Sequence, residues 1–110
     1  MQNTPIWGIL FTGVILMKKY RVELGKVRHL FKRHLPLPIV KKLQFWALRI
    51  EMIGLLETRK IKGFHDEPLH GDRTGQRSIR LNEAYRAIYE IRDNIDIVII
   101  EVIEVNKHEY

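Results

Sequence analysis

The chain has 110 residues and no cysteine, with 45% hydrophobic and 29% charged residues. That is room for one compact domain with a packed core, and it excludes a disulfide framework, thiolate metal sites and a cysteine nucleophile. Nineteen Lys and Arg against thirteen Asp and Glu leave a net charge of +6, which points to a polyanionic partner: nucleic acid first, an anionic membrane surface second, an acidic protein third.

From Ile6 to Met17 the chain is nearly all apolar, and Lys18 and Lys19 follow at once. Roughly a dozen apolar residues fall short of the ~20 that a helix needs to cross a bilayer. A signal peptide carries its positive charge before the apolar run and a small-residue cleavage site after it, and here the lysines are on the other side. The plainest reading takes Met17 as the initiator and residues 1–16 as an upstream extension of a domain spanning 17–110. An added packed strand or helix is the second reading and a membrane anchor the third. A cytoplasmic protein with no membrane attachment is expected.

Residues 20–24 alternate polar and apolar and predict a first strand, closed by Gly25. Val27, Leu30, Phe31 and His34 or Leu35 then recur at helical spacing among Lys26, Arg28, Lys32 and Arg33, predicting a short basic amphipathic helix that Pro36 ends. Pro38 suits the first turn of a second helix. Its apolar stripe runs Ile39, Leu43, Trp46, Leu48 or Ile50, Ile53 and Leu55 or Leu56, with Phe45 and Trp46 read as core. Residues 63–75 are a loop by composition. Residues 77–81, 85–91 and 95–105 are rich in Ile, Val and Tyr and predict three strands, the last two joined by a tight turn at Asp93-Asn94. The expected architecture is α+β in the order β-α-α-β-β-β: a helical hairpin on one face of a small, mainly antiparallel sheet, the other face left for function.

Alternation along the last strand puts Ile95, Ile97, Ile99, Ile103 and Val105 on one side, interrupted by Glu101, and this side is expected to meet the helices. The opposite side starts apolar at Val98, Ile100 and Val102 and ends polar at Glu104, Asn106, His108 and Tyr110. In an extended strand His108 and Tyr110 would emerge on one face about 7 Å apart; a frayed chain end is the alternative. In the preceding hairpin, Ile79 and Leu81 should face the core together with Tyr85, Ala87 and Tyr89. That register has a three-residue loop, 82–84, and sets Arg80 directly across from Arg86. Like charges opposed across strands are destabilising, so an anion between them is expected, and phosphate matches the guanidinium fork. Pairing of either arginine with Glu83, Glu90 or Glu104 is the alternative. His65, His70, Asp66 and Asp72 match no common zinc spacing, and no metal or other cofactor is expected.

Residues 69–89, with the core Ser78-Ile79-Arg80-Leu81-Asn82 after Gly75 and then Tyr85-Arg86 leading an apolar strand, resemble the RelE/HigB-type toxins of bacterial type II toxin–antitoxin modules, in particular the HigB-like branch. The ending Val105-Asn106-Lys107-His108-Glu109-Tyr110 extends the resemblance, which covers roughly residues 18–110. It implies a RelE-like fold and a ribosome-dependent, metal-independent endonuclease acting on messenger RNA, held inactive by an antitoxin protein. Carried over residue by residue, it gives Arg86 as the active-site arginine, His108 where relatives have a catalytic histidine or arginine, Arg80 where they have a basic residue, and Tyr110 as the terminal aromatic. Arg77, Lys107, Arg73 and His70 are expected to touch RNA near the site, and Lys26, Arg28, Lys32 and Arg33 to meet ribosomal RNA.

The chemistry expected is attack of the ribose 2′-hydroxyl on the adjacent phosphate, giving a 2′,3′-cyclic phosphate and a free 5′-hydroxyl. His108, with an ordinary pKa of about 6.5, suits either proton transfer, while Arg80 and Arg86 would stabilise the phosphorane. Two other readings stand beside this one: a non-nucleolytic gyrase inhibitor of the ParE type, which shares the fold, and a non-enzymatic basic nucleic-acid-binding module.

Overall fold

The computed structural model describes residues 19–107. The expectations for residues 1–16, His108 and Tyr110 lie outside them. β1 (Lys19–Glu23) is followed by a 3-10 turn at Arg28–Leu30, then α1 (Leu37–Ile53), α2 (Leu55–Arg59), β2 (Glu67–Pro68), β3 (Gln76–Arg80), β4 (Tyr85–Asp93) and β5 (Ile97–Lys107). The strands form one five-stranded sheet in the order β1-β5-β4-β3-β2. β1 runs parallel to β5 and the other pairings are antiparallel. The α+β class and the one-sided packing are as expected. Among the described residues no helix is long and apolar enough to cross a membrane.

α1 starts where Pro36-Leu37-Pro38 fixes extended and then helical backbone, with Pro38 in the first turn where its missing N–H costs nothing. It buries Ile39, Val40, Leu43, Trp46, Ala47 and Ile50. These meet Ile79, Ala87, Tyr89, Val98, Ile100 and Val102 of the sheet, with Leu55, Phe64 and Val27 closing the ends. Trp46 stacks obliquely on Tyr89 at 5.1 Å between ring centroids. The helix stops at Gly54, whose φ of 85° and ψ of 169° lie in a region essentially reserved for glycine. α2 restarts at once.

Three expectations are corrected. The predicted first helix of the hairpin, around 26–35, is only a 3-10 turn flanked by turns. Roughly ten residues between Gly25 and Pro36 leave little length for a helix, and Arg28 and Lys32 would set like charges one turn apart in one. Phe45 is not core: it is half exposed on the outer side of α1, with its ring against Phe64. The third correction concerns β5. Val98, Ile100 and Val102, not Ile97 and Ile99, enter the core cluster.

A bulge explains what happens further along β5. Ile88 pairs with Glu104 and Tyr89 with Val102, so Ile103 is the extra residue. Beyond it the alternation inverts. Val105 packs against the core, and Glu104 and Asn106 turn to the face the helices leave open. One strand thus sends its apolar half inward and its polar half outward.

Candidate functional site

The open face is built from β2 to β5. Asn82 Oδ1 accepts the backbone N–H groups of Ala84 and Tyr85, both at 2.7 Å, which fixes the three-residue loop between β3 and β4. The register that follows is the expected one: Ile79 faces Ala87 and Arg80 faces Arg86. Ile79, Leu81, Ala87 and Tyr89 are buried on the helix side, so Arg80 and Arg86 stand together on the open side. On β5, Asn106 lies directly across from Arg86.

Arg86 Nη1 donates to Ser78 Oγ at 3.3 Å and lies 3.4 Å from Glu67 Oε1. Both distances are long, and Glu67 is exposed, so the pair is open to an anion that competes for the guanidinium. Arg80 has no hydrogen-bond or ion-pair partner among the described residues. Arg73 borders the same face through ion pairing with Glu104, and Arg73 Nη1 donates to Gln76 Oε1 at 2.7 Å. Hydrogen bonds from Arg73 first and Asn106 second hold the Glu104 carboxyl below the usual carboxylate range.

Glu67 is not legible in the sequence. Residues 63–75 have the composition of a loop, but they contain the two-residue strand β2, which pairs Glu67 with Ser78 and Pro68 with Arg77. A strand this short has no periodicity to detect, and the only available signal is an acidic residue a few positions ahead of an arginine-rich hairpin. Two anchors hold the segment. Phe64 is buried in the core. The Asp66 side chain, 1% exposed, accepts hydrogen bonds from Arg77 Nε at 2.6 Å and from the Tyr89 hydroxyl at 2.5 Å. Burial first and this carboxylate second raise the Tyr89 pKa above the ordinary phenol value.

The remaining expected RNA-binding residues divide. Arg77 is engaged by Asp66 on the helix side and does not join the open face. Lys107, opposite Tyr85 at the end of β5, is exposed, and so is His70 in the segment before β3. Lys26 lies 3.5 Å from Glu101. Arg28, Lys32 and Arg33 are exposed and have no partner among the described residues. They follow β1, at the opposite edge of the sheet from β2, and so form a second basic surface separate from the arginine pair.

No family model and no curated protein sequence matches the chain. Solved structures do. A YoeB/ParE toxin from Agrobacterium tumefaciens is 22% identical, with a TM-score of 0.59 over 83% of this chain and 99% of that one. The YoeB–YefM complex from Staphylococcus aureus matches at 21% identity and a TM-score of 0.57 over 84% and 99% of the two chains. The RelBE2 toxin–antitoxin complex of Mycobacterium tuberculosis matches at 20% and 0.54 over 82% and 99%. The chain therefore has the fold of the YoeB and RelE toxins, across nearly the full length of each.

Proposed function

We propose that the chain is the toxin of a type II toxin–antitoxin module and cleaves messenger RNA on the ribosome without a metal. The observation that carries the reading is the pair Arg80 and Arg86, opposed across a hairpin on the helix-free face, with an exposed carboxylate, Glu67, at 3.4 Å from Arg86. Two facing guanidinium groups repel each other until an anion lies between them, and a phosphate accepts both forks. The fold shared with toxins solved in complex with their antitoxins supports an antitoxin as partner. The HigB-like branch, suggested by residues 69–89, is part of the proposal, as are the ribosome and a cytoplasmic location.

The scissile phosphate would sit between Arg80 and Arg86, which bind it and take up the charge that grows on its oxygens during in-line attack by the 2′-hydroxyl. Glu67 adds a second proton acceptor beside His108. A carboxylate next to the phosphate site can take the 2′ proton, leaving His108, two residues beyond Asn106 in sequence, to protonate the departing 5′ oxygen. Tyr110 would orient or stack on a base. The ribosome would supply the geometry that brings the 2′-hydroxyl into line.

The test is induction of the chain in a bacterial host as wild type, Arg86→Ala, Glu67→Gln and His108→Ala, with 5′ ends mapped on a translated message. Cuts inside the reading frame that need translation, and that fall sharply in all three variants, are expected. Cuts that survive Glu67→Gln but not His108→Ala would return both proton transfers to His108. Growth arrest with no cuts would remove the nuclease reading and favour a gyrase inhibitor of the same fold.

A further inference from the structure

Glu67 reaches the arginine face from a strand that has little of its own to hold it there. β2 is two residues long, a glutamate and a proline, and both are exposed. Neither side chain is buried against the helices, so the hydrophobic pattern that pins the register of longer strands does not act on it. Successive residues of a strand point to opposite faces, and a slip of one residue would exchange Asp66 and Glu67. Both are carboxylates, so composition does not say which of them stands beside Arg86.

A different fastening lies on the helix side of the sheet. The Asp66 side chain is 1% exposed and accepts hydrogen bonds from Arg77 Nε at 2.6 Å and from the Tyr89 hydroxyl at 2.5 Å. Arg77 is on β3 and Tyr89 on β4, so one carboxylate ties the segment to both strands of the hairpin that carries Arg80 and Arg86. The residue before it, His65, has φ of 45° and ψ of 51°, left-handed backbone that a side chain with a Cβ resists. Phe64, buried in the core, and Asp66 flank that turn and hold it. A buried ion pair adds little to stability over an apolar contact, and its best-attested service is to fix register.

We infer that Asp66 is a positioning residue: anchored to Arg77 and Tyr89 on the helix side, it sets the register of β2 and so holds Glu67 on the open face beside Arg86. This rests on the proposed role of Glu67 as a proton acceptor. Glu67 Oε1 stands 3.4 Å from Arg86 Nη1, a contact too long to hold the strand by itself. The orientation of the acceptor toward the phosphate therefore comes from the other side of the sheet. A carboxylate that drifts by about 1 Å loses the alignment on which proton transfer depends.

Two variants of the full chain test this. Tyr89→Phe removes one donor and keeps the ring that stacks on Trp46, and Asp66→Asn removes the charge at nearly unchanged size. Far-UV circular dichroism first checks that each folds, and either suffices if the other does not. Hydrogen exchange of the Leu69 amide, which donates to Gln76 O at 2.9 Å next to β2, reports the docking of β2 without any assay of function. It should speed up by about tenfold or more in either variant, while the Gly54 amide, bonded to Ile50 O at 2.8 Å, keeps its parental rate. The cleavage rate at saturating ribosomes should fall about 10- to 100-fold in either variant, with the half-saturating ribosome concentration unchanged. Added to Glu67→Gln, the same change should leave the residual cleavage where it is, because the clamp acts through that carboxylate; loss of folded protein would instead multiply with the Glu67→Gln loss. Leu69 exchange at the parental rate would overturn the inference, and so would losses that multiply. A wild type that makes no cuts would remove the nuclease reading instead, and Leu69 exchange would still decide whether Asp66 fixes β2.

Discussion

Arg80 and Arg86 face each other across two strands while the nearby carboxylate, Glu67, holds Arg86 only loosely. A site evolved for stability would not keep both, because opposed like charges cost up to about 1 kcal/mol. Arg80→Ala should therefore leave stability unchanged or raise it by about 0.5 kcal/mol in urea denaturation. The same variant should lower the cleavage rate by about 10²–10³-fold, and opposite signs in the two measurements separate function from folding. Arg80→Lys, which keeps the charge but loses the planar fork, should recover only part of the rate. Glu104 gives a residue-scale prediction of a different kind. Its carboxyl is held down by Arg73 and Asn106 in the folded chain, so its contribution to stability is present above the ordinary glutamate pKa of about 4.3 and is lost as pH falls through the lowered folded value. In Arg73→Gln, a carboxyl titration by NMR should place Glu104 closer to the ordinary value. The urea midpoint of that variant should fall less steeply between neutral pH and pH 3 than in the parent.

At the scale of elements, sequence patterns are readable where a single rule applies and misleading where two compete. The β3–β4 register follows from Ile79, Leu81, Tyr85, Ala87 and Tyr89, because only one pairing buries all five. β5 offers isoleucine or valine on both sides, so periodicity cannot choose the inner face. Glu101 is the clue: the side it interrupts is the outer one, and the bulge at Ile103 then turns Glu104 and Asn106 onto the arginine face. The stripe of α1 is legible from Ile39 to Ile50, but in the sequence it runs on through Gly54, where the backbone breaks the helix in two. That break is strict. With φ of 85° and the Tyr20 ring 3.1 Å from the position of a Cβ, Gly54→Ala combines backbone strain with a ring that must yield. A loss of about 2 kcal/mol is expected by urea denaturation. Gly63→Ala, where a Cβ would meet nothing within 4 Å, should be close to neutral and serves as the control.

Over the whole molecule the charge of +6 is not spread evenly. Arg73, Arg77 and Arg92 each answer a carboxylate closely, so part of the basic content is neutralised within the fold. The cations without a partner among the described residues include Arg80 beside Arg86 and, at the other edge of the sheet, Arg28, Lys32 and Arg33. Composition points to a polyanionic partner, yet only the ion pairs reveal that Arg80 and the group Arg28, Lys32 and Arg33 are two separate stretches of free charge. On the proposed function, an arginine pair that takes the phosphate and a distant basic patch are what a nuclease would need when its substrate is presented by a larger polyanion. The two places should therefore respond differently to salt. Replacing Arg28, Lys32 and Arg33 together with Ala should reduce the slope of log affinity for ribosomes against log salt by about 2, on the basis of about 0.7 for each phosphate the variant no longer neutralises. Once saturating ribosomes restore occupancy, the variant's cleavage rate should return to that of the parent. Arg80→Ala should change the slope by less than about 1 and leave cleavage depressed at any ribosome concentration. If the triple variant instead failed to cleave at saturation with an unchanged slope, the basic patch would belong to the chemistry and the separation of binding from catalysis across the sheet would be wrong.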